Sequence, residues 1–214
     1  MIAGRLRRLF SITTPVSIPL AAELRRYTAT YLVEMKTAFT GISLVTAIDP
    51  PWTDITPIRL GAVPSSIGTP DRFALVALPG RPPLRVDLYR AYDSELYLRD
   101  EILPWQDWIA IGFGHRAFLI HTQHHDVREI SIPLYFEGFR AAEDYLLVLA
   151  GQGLVRIDQK GAVVWKNADL AIDGVEIDAI ESGVICGRGE WDPPGDWRPF
   201  RVRLDTGDVI ARAV

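Results

Sequence analysis

The 214-residue chain has a single cysteine, Cys186. That excludes an intramolecular disulfide and a thiolate zinc cluster, and it fits a reducing compartment, so a cytoplasmic location is expected. No apolar run reaches the roughly 18 to 20 residues that a membrane-spanning helix needs, and no membrane partner is expected. Arg5, Arg7 and Arg8 precede an apolar segment at 9–22, but Thr13, Thr14, Pro15, Ser17 and Pro19 interrupt it, against a cleaved signal. There is no basic excess: 23 Lys and Arg stand against 27 Asp and Glu, a formal charge of −4, which argues against a nucleic-acid surface. No glycine-rich phosphate loop leads into a helix and no Gly-x-Ser-x-Gly sequence occurs, which argues against nucleotide enzymes and serine hydrolases of the common types. No cofactor is expected.

What is present is apolar residue content of 48%, enough for a core, with 15 prolines and 17 glycines to punctuate it. The clearest stretch is YLLVLAGQGLVRIDQKGAVVW, residues 145–165. Three short apolar runs (145–150, 154–158 and 162–165) are separated by Gly151 with Gly153 and by the Asp158–Gly161 turn, which reads as a β-meander. Similar triplets of runs start near 42, 73, 108 and 183, about 31 to 38 residues apart, within the range of repeat architectures. Further strand candidates at 31–35, 136–141 and 175–180 would make each unit four-stranded. Residues 95–98 read as a closing strand of the second unit. Trp105-Gln-Asp-Trp108 reads as a loop feeding the third. The expected fold is all-β: repeated antiparallel meanders forming a small or partial β-propeller of about five units, the alternative being a β-sandwich or barrel. Residues 1–26 are expected to be an N-terminal arm or a closing strand, and 27–214 a single all-β repeat domain.

Two turns carry a resemblance. Ile157-Asp-Gln-Lys-Gly-Ala-Val-Val-Trp165 resembles the turn and outer strand of quinoprotein-type, WD-like β-propeller blades, in which an Asp begins a tight turn, a Gly completes it and a Trp packs between blades. Leu204-Asp-Thr-Gly-Asp-Val209 is a shorter version without the Trp. The resemblance implies architecture alone, because the cofactor residues of quinoproteins have no counterpart here. It also implies that a strand near 5–10 would complete the last blade, hiding a sheet edge.

Candidate sites fall in loops. His121, His124 and His125, followed by Asp126, offer imidazole and carboxylate donors suited to zinc. On a strand His121 and His125 would share a face and, with Asp126, form a metal site; in a turn the cluster is a solvated loop. The loop at 189–197, GEWDPPGDW, combines Trp191 and Trp197 with Asp192 and Asp196. DPPWTD at 49–54 places Trp52 in the corresponding position of the first unit. Prolines beside large aromatics lower the entropy lost when a contact surface is ordered, and tryptophan is enriched at interface hot spots. Glu190, Asp192 and Asp196 would be the carboxylates of a glycosidase, although all three sit in one loop. Glu176 and Asp178 read as the wet face of a strand. Cys186 reads as an inert core thiol.

The expected function is a non-catalytic recognition domain that binds a protein partner through Trp52, Trp191, Asp192, Asp196 and Trp197, with a bacterial immunity-type protein as one form of it. The alternatives are a metal-dependent hydrolase or glycosidase, and a carbohydrate-binding module.

Overall fold

A computed structural model describes residues 41–66 and 68–212, which fall in one compact unit. The expected N-terminal arm at 1–26 and the strand at 31–35 lie outside the described residues. Among the described residues sixteen strands form four four-stranded sheets. The first holds β1 (Gly41–Val45), β2 (Ile58–Gly61), β3 (Arg72–Ala77) and β4 (Leu84–Tyr89) in the order β1-β3-β4-β2. The other three are antiparallel meanders in chain order. They are β5 (Asp100–Trp105) to β8 (Val127–Ile130), β9 (Phe136–Ala141) to β12 (Val163–Asn167), and β13 (Val175–Glu181) to β16 (Val209–Arg212). The repeated four-stranded sheet is the architecture expected, and it is propeller-like.

The repeat count differs among the described residues. The runs near 42 and 73 belong to one sheet, because β1 pairs with β3 from Gly41↔Ala77 to Val45↔Phe73. β2 then adds in parallel to β4 on the far edge, an order no meander has. Spacing alone does not reveal this: two apolar runs about 31 residues apart look alike whether they start two sheets or pair within one. Residues 95–98 are no strand either; Asp93–Tyr97 forms a 3-10 turn with the Glu95 side chain buried. Trp105 and Trp108 face each other across a two-residue hairpin with Gln106 at φ 53°. Pro104 argues against a strand there, but β5 is an edge strand, where a missing N–H costs no ladder bond.

Strand composition follows from burial on one face or two. β6 (Trp108–Phe113) and β10 (Tyr145–Ala150) are apolar almost throughout because both of their faces are covered. Ile109, Ile111 and Phe113 pack with Val76, Val86 and Leu88 of the first sheet, whereas Trp108 and Ala110 pack with Leu146 and Val148 of the third. Leu147 and Leu149 then turn the other way, onto Ile185, Phe200 and Val202 of the fourth. Three cores therefore lie between four stacked sheets, as alternation along a strand requires. β14 (Val184–Glu190) instead alternates, with Ile185, Gly187 and Gly189 buried and their neighbours more exposed. Cys186 is on that second face, half-buried opposite Ala179 and Arg201, rather than in the core.

One rim of the stack is stitched by side chains. Trp105 Nε1 donates to the Ala142 carbonyl (2.7 Å), Trp108 Nε1 to Gln159 (3.1 Å) and Trp165 Nε1 to Leu204 (2.9 Å). Each bond reaches from one sheet to a turn of the next. The Asp158 turn is closed by its own carboxylate, whose Oδ1 accepts the N–H of Lys160 (2.9 Å) and of Ala162 (2.8 Å). Gly161 and Gly207 have φ of 74° and 77°, and each lies under a tryptophan of the preceding sheet. A Cβ on Gly161 would sit 2.7 Å from Cζ2 of Trp108, and one on Gly207 2.6 Å from Cδ2 of Trp165. Glycine is thus required twice over at these turns, by conformation and by the ring above it.

Candidate functional site

The opposite rim is built from different residues. It is defined by the turns Gly114-His115 and Gly151-Gln152 and by the connections that hydrogen-bond to them. Phe136 N donates to Gly114 O (2.9 Å), Gly151 N to Tyr135 O (2.9 Å), and Ile172 N to Glu190 O (2.8 Å). Of the large apolar side chains exposed among the described residues, Val63, Tyr92, Leu96, Tyr97, Leu134, Ile172 and Trp197 lie on this rim. The remaining four, Val127, Val163, Val164 and Ile210, sit on the edge strands β8, β12 and β16, where Val127 and Val163 begin their strands beside turns of the stitched rim. Tyr97 is 93% exposed and Trp197 39%. A protein surface carries such side chains singly as a matter of course; here seven of the eleven collect on one rim.

The most exposed segment is held rigidly from below. The Arg90 side chain is buried, its guanidinium 4.3 Å from the centroid of the Phe113 ring. Its Nη2 donates to Asp100 and its Nη1 to the Glu95 carbonyl. Arg72 reaches the same Asp100 carboxylate (3.3 Å). Burial raises the Asp100 pKa, and Arg90 and Arg72 work against that rise. This buried ion cluster fixes the turn Asp93–Tyr97, so Tyr92, Leu96 and Tyr97 stand on a preset base.

A groove of about 660 Å³ opens on this rim, where residues before β5 meet the starts of β9 and β13. Tyr97, Tyr135, Phe136 and Trp197 are its aromatic lining residues, and Arg99, Glu137, Arg140 and Glu176 its charged ones. The indole of Trp197 passes over Gly174, with Cη2 3.0 Å from where a Cβ would be; Glu137 Oε1 is 3.7 Å from the same point. Glu137 accepts one hydrogen bond, from Val175 N (2.8 Å), and has no ion pair among the described residues. Burial pushes its carboxyl pKa up, the Val175 N–H opposes this, and the neighbouring Asp173 and Glu176 push it further while Arg99 lowers it. The Tyr135 hydroxyl donates to Asp173. Burial, that bond and the carboxylates of Glu137, Asp173 and Glu190 hold the phenol well above its usual range. The cations nearby are mostly committed: Arg99 to Glu101 (3.1 Å) and Arg188 to Glu176 (2.6 Å). Arg140 lies at the groove with its Nη1 on the Phe139 carbonyl (3.2 Å).

The residues singled out from sequence are distributed unevenly. Trp197 lines the groove; Trp191, Asp192 and Asp196 are in the hairpin beside it, with Asp196 bound to Arg198 (2.7 Å). Asp196 is accordingly held below the usual carboxylate range by the Arg198 hydrogen bond. Trp52 belongs to a different sheet, in the 3-10 turn Trp52–Asp54, where Arg85 reaches its carbonyl (3.3 Å). The histidines form a turn. His125 has φ 58° and donates its N–H back to the His121 carbonyl (2.9 Å). It is His124, not His125, that stacks on His121, at 4.9 Å. His121 Nδ1 accepts the N–H of Gln123 (3.3 Å) and of His124 (3.4 Å), and its ring meets the edge of Trp108. Among the described residues no group of three or more His, Cys, Asp or Glu is arranged to hold a metal. Nor, among them, is any helix long and apolar enough to cross a membrane.

Sequence reasoning missed Tyr92, Leu96, Tyr97, Leu134, Tyr135 and Glu137. The available signal was the run YDSELYL, two tyrosines and two leucines among acids, which a strand reading absorbed.

No family profile and no curated protein matches the chain. Among solved structures, apo AztD from Citrobacter koseri aligns with a TM-score of 0.41 and 16% identity, over 67% of this chain and 42% of that one. The chain therefore spans less than half the length of that protein.

Proposed function

We propose that this chain is a non-catalytic recognition domain that binds a protein partner across the apolar rim. The observation that carries the reading is the collection of Tyr92, Leu96, Tyr97, Leu134, Ile172 and Trp197 at one end of the stack, opposite a rim of polar turns. A protein interface needs such aromatic anchors on a rigid base, and the buried Arg90 cluster supplies the base for three of them. The hairpin with Trp191, Asp192 and Asp196 would flank the contact. Trp52, on the first sheet, is a second contact in this reading. The Asp158 and Asp205 turns are read as quinoprotein-type blade turns, each covered by a tryptophan of the sheet before. A cytoplasmic, immunity-type role is the form this function takes if the partner is a toxin.

The test is capture from a lysate of the source organism by the tagged chain, with crosslinking and mass spectrometry. Tyr97→Ala combined with Trp197→Ala should lower recovery of a discrete protein at least tenfold with little change in melting temperature. Gln159→Ala with Lys160→Ala, on the stitched rim, should leave recovery unchanged. Equal recovery by both double variants would overturn the proposal. A sugar is the second reading, favoured by Trp197 beside Glu137 in an open groove; a glycan array with the Trp197→Ala variant tests it.

A further inference from the structure

The groove between Tyr97, Tyr135 and Trp197 differs from the rest of the apolar rim, because charged side chains help to line it. Glu137 is the central group: a half-buried carboxylate with one backbone donor and no ion pair among the described residues, although Arg99 lies near. Asp173 accepts from the Tyr135 hydroxyl and Glu190 from Gly195 N, and neither has an ion pair among the described residues. Glu176 is matched by Arg188, and Arg99 by Glu101. Arg140, an exposed residue, also lines the groove and has no ion pair among the described residues. The Trp197 indole and the Glu137 carboxylate flank the same glycine, Gly174.

A desolvated carboxylate without a counter-ion is costly, and an arriving cation removes that cost. Aromatic faces add attraction, since the negative face of a ring stabilises an ammonium or guanidinium held within about 6 Å of its centroid. A neutral apolar group would fill the walls and leave Glu137 unmatched. An anion would meet the unpaired Glu137 in the lining.

We infer that the groove between Tyr97, Tyr135 and Trp197 receives a Lys or Arg side chain of the protein partner, with Glu137 as its counter-ion. This rests on the protein-partner reading above and names the chemistry of one contact within it. The alkyl stem of the basic side chain would lie along the rings, with its charged head at Glu137.

The test uses a short unstructured peptide with one lysine, acetyl-Gly-Gly-Lys-Gly-Gly-amide, and its acetyl-lysine counterpart, titrated into the ¹⁵N-labelled chain. The lysine peptide should shift the Trp197 indole and the amides of Glu137, Gly174 and Val175. Acetyl-lysine should bind at least tenfold more weakly, and so should the lysine peptide to Glu137→Gln or to Trp197→Ala. Indistinguishable binding of the two peptides, no shift at Trp197, or wild-type affinity in Glu137→Gln would each overturn the inference. Partner capture separates the two readings. If Glu137→Gln still captures the partner and the peptide does not bind, the rim remains an interface and the cation site falls. If the peptide binds as described but no protein is captured, the groove takes a free organic cation, and both the partner reading and the assignment to a partner side chain fall.

Discussion

Trp108 and Trp165 on one rim and Trp197 on the other differ in what their rings meet. The first two are buried, each pressed on the glycine of the next sheet's turn and each donating its indole N–H to that turn's backbone. Trp197 also passes over a glycine, Gly174, but remains 39% exposed and contributes to a groove. One residue type thus does two jobs. Where the ring closes a gap between sheets it holds the repeat together; where it projects from the opposite rim it is available to something else. The polar turns around Trp108 and Trp165 can be charged and wet because the rings, not the turn residues, fill the space.

The comparison is broken most severely at the stitching tryptophans. Trp108→Ala or Trp165→Ala removes a buried indole and its inter-sheet hydrogen bond, and should cost about 3–5 kcal/mol. Urea unfolding measures this. A loss below about 1 kcal/mol would show that the sheets do not depend on those rings.

Next in size are the glycines beneath them. Gly161→Ala and Gly207→Ala each force a side chain into the left-handed region and against a tryptophan, at a cost of about 1–3 kcal/mol. The double variant Gly161→Ala with Trp108→Ala should lose less than the sum of the two singles, since the clash is then gone; a double-mutant cycle reads the coupling directly.

Smaller, and opposite in sign, is Glu137→Gln. Burial first, and then Asp173 and Glu176, raise the folded-state pKa of Glu137 above its unfolded value, despite the Val175 N–H and Arg99. The folded state therefore binds this proton more tightly, and stability falls as pH rises from the ordinary glutamate range through the raised value. Glu137→Gln should be more stable than the parent at pH 7, with the gap closing at and below pH 4 in paired urea titrations. A variant less stable at pH 7 would mean that the carboxylate has a compensating partner. Trp197→Ala should have the smallest effect on stability, about 1 kcal/mol or less, because its ring is already partly in water.

Much of the fold was legible because burial on two faces leaves a strong mark. β6, β10 and their hairpin partners are continuous apolar runs ended by glycine, and Phe136–Ala141 falls on the expected strand. The order of the first sheet was hidden, because parallel addition of β2 beside β4 leaves no local trace in either strand. The stitched rim was half visible: Asp158, Gly161 and Trp165 stood out as a pattern, but Trp165 packs on Gly207 and Trp108 on Gly161, partners that only the stacking of sheets brings together. Of the site, Trp197 and its hairpin were visible by composition. Tyr97 and Glu137 were not, since an exposed tyrosine in a connection and a glutamate near the start of a strand are ordinary locally. They acquire meaning only once three connections from different sheets reach the same rim.

The most direct test of the asymmetry between the rims places a photo-crosslinking amino acid at Tyr97 and, separately, at Lys160, and illuminates cells of the source organism expressing each. A discrete protein adduct from position 97 and none from position 160 is the predicted result. Matching adduct patterns from both positions, or no adduct from position 97, would contradict the assignment of the apolar rim as the recognition surface.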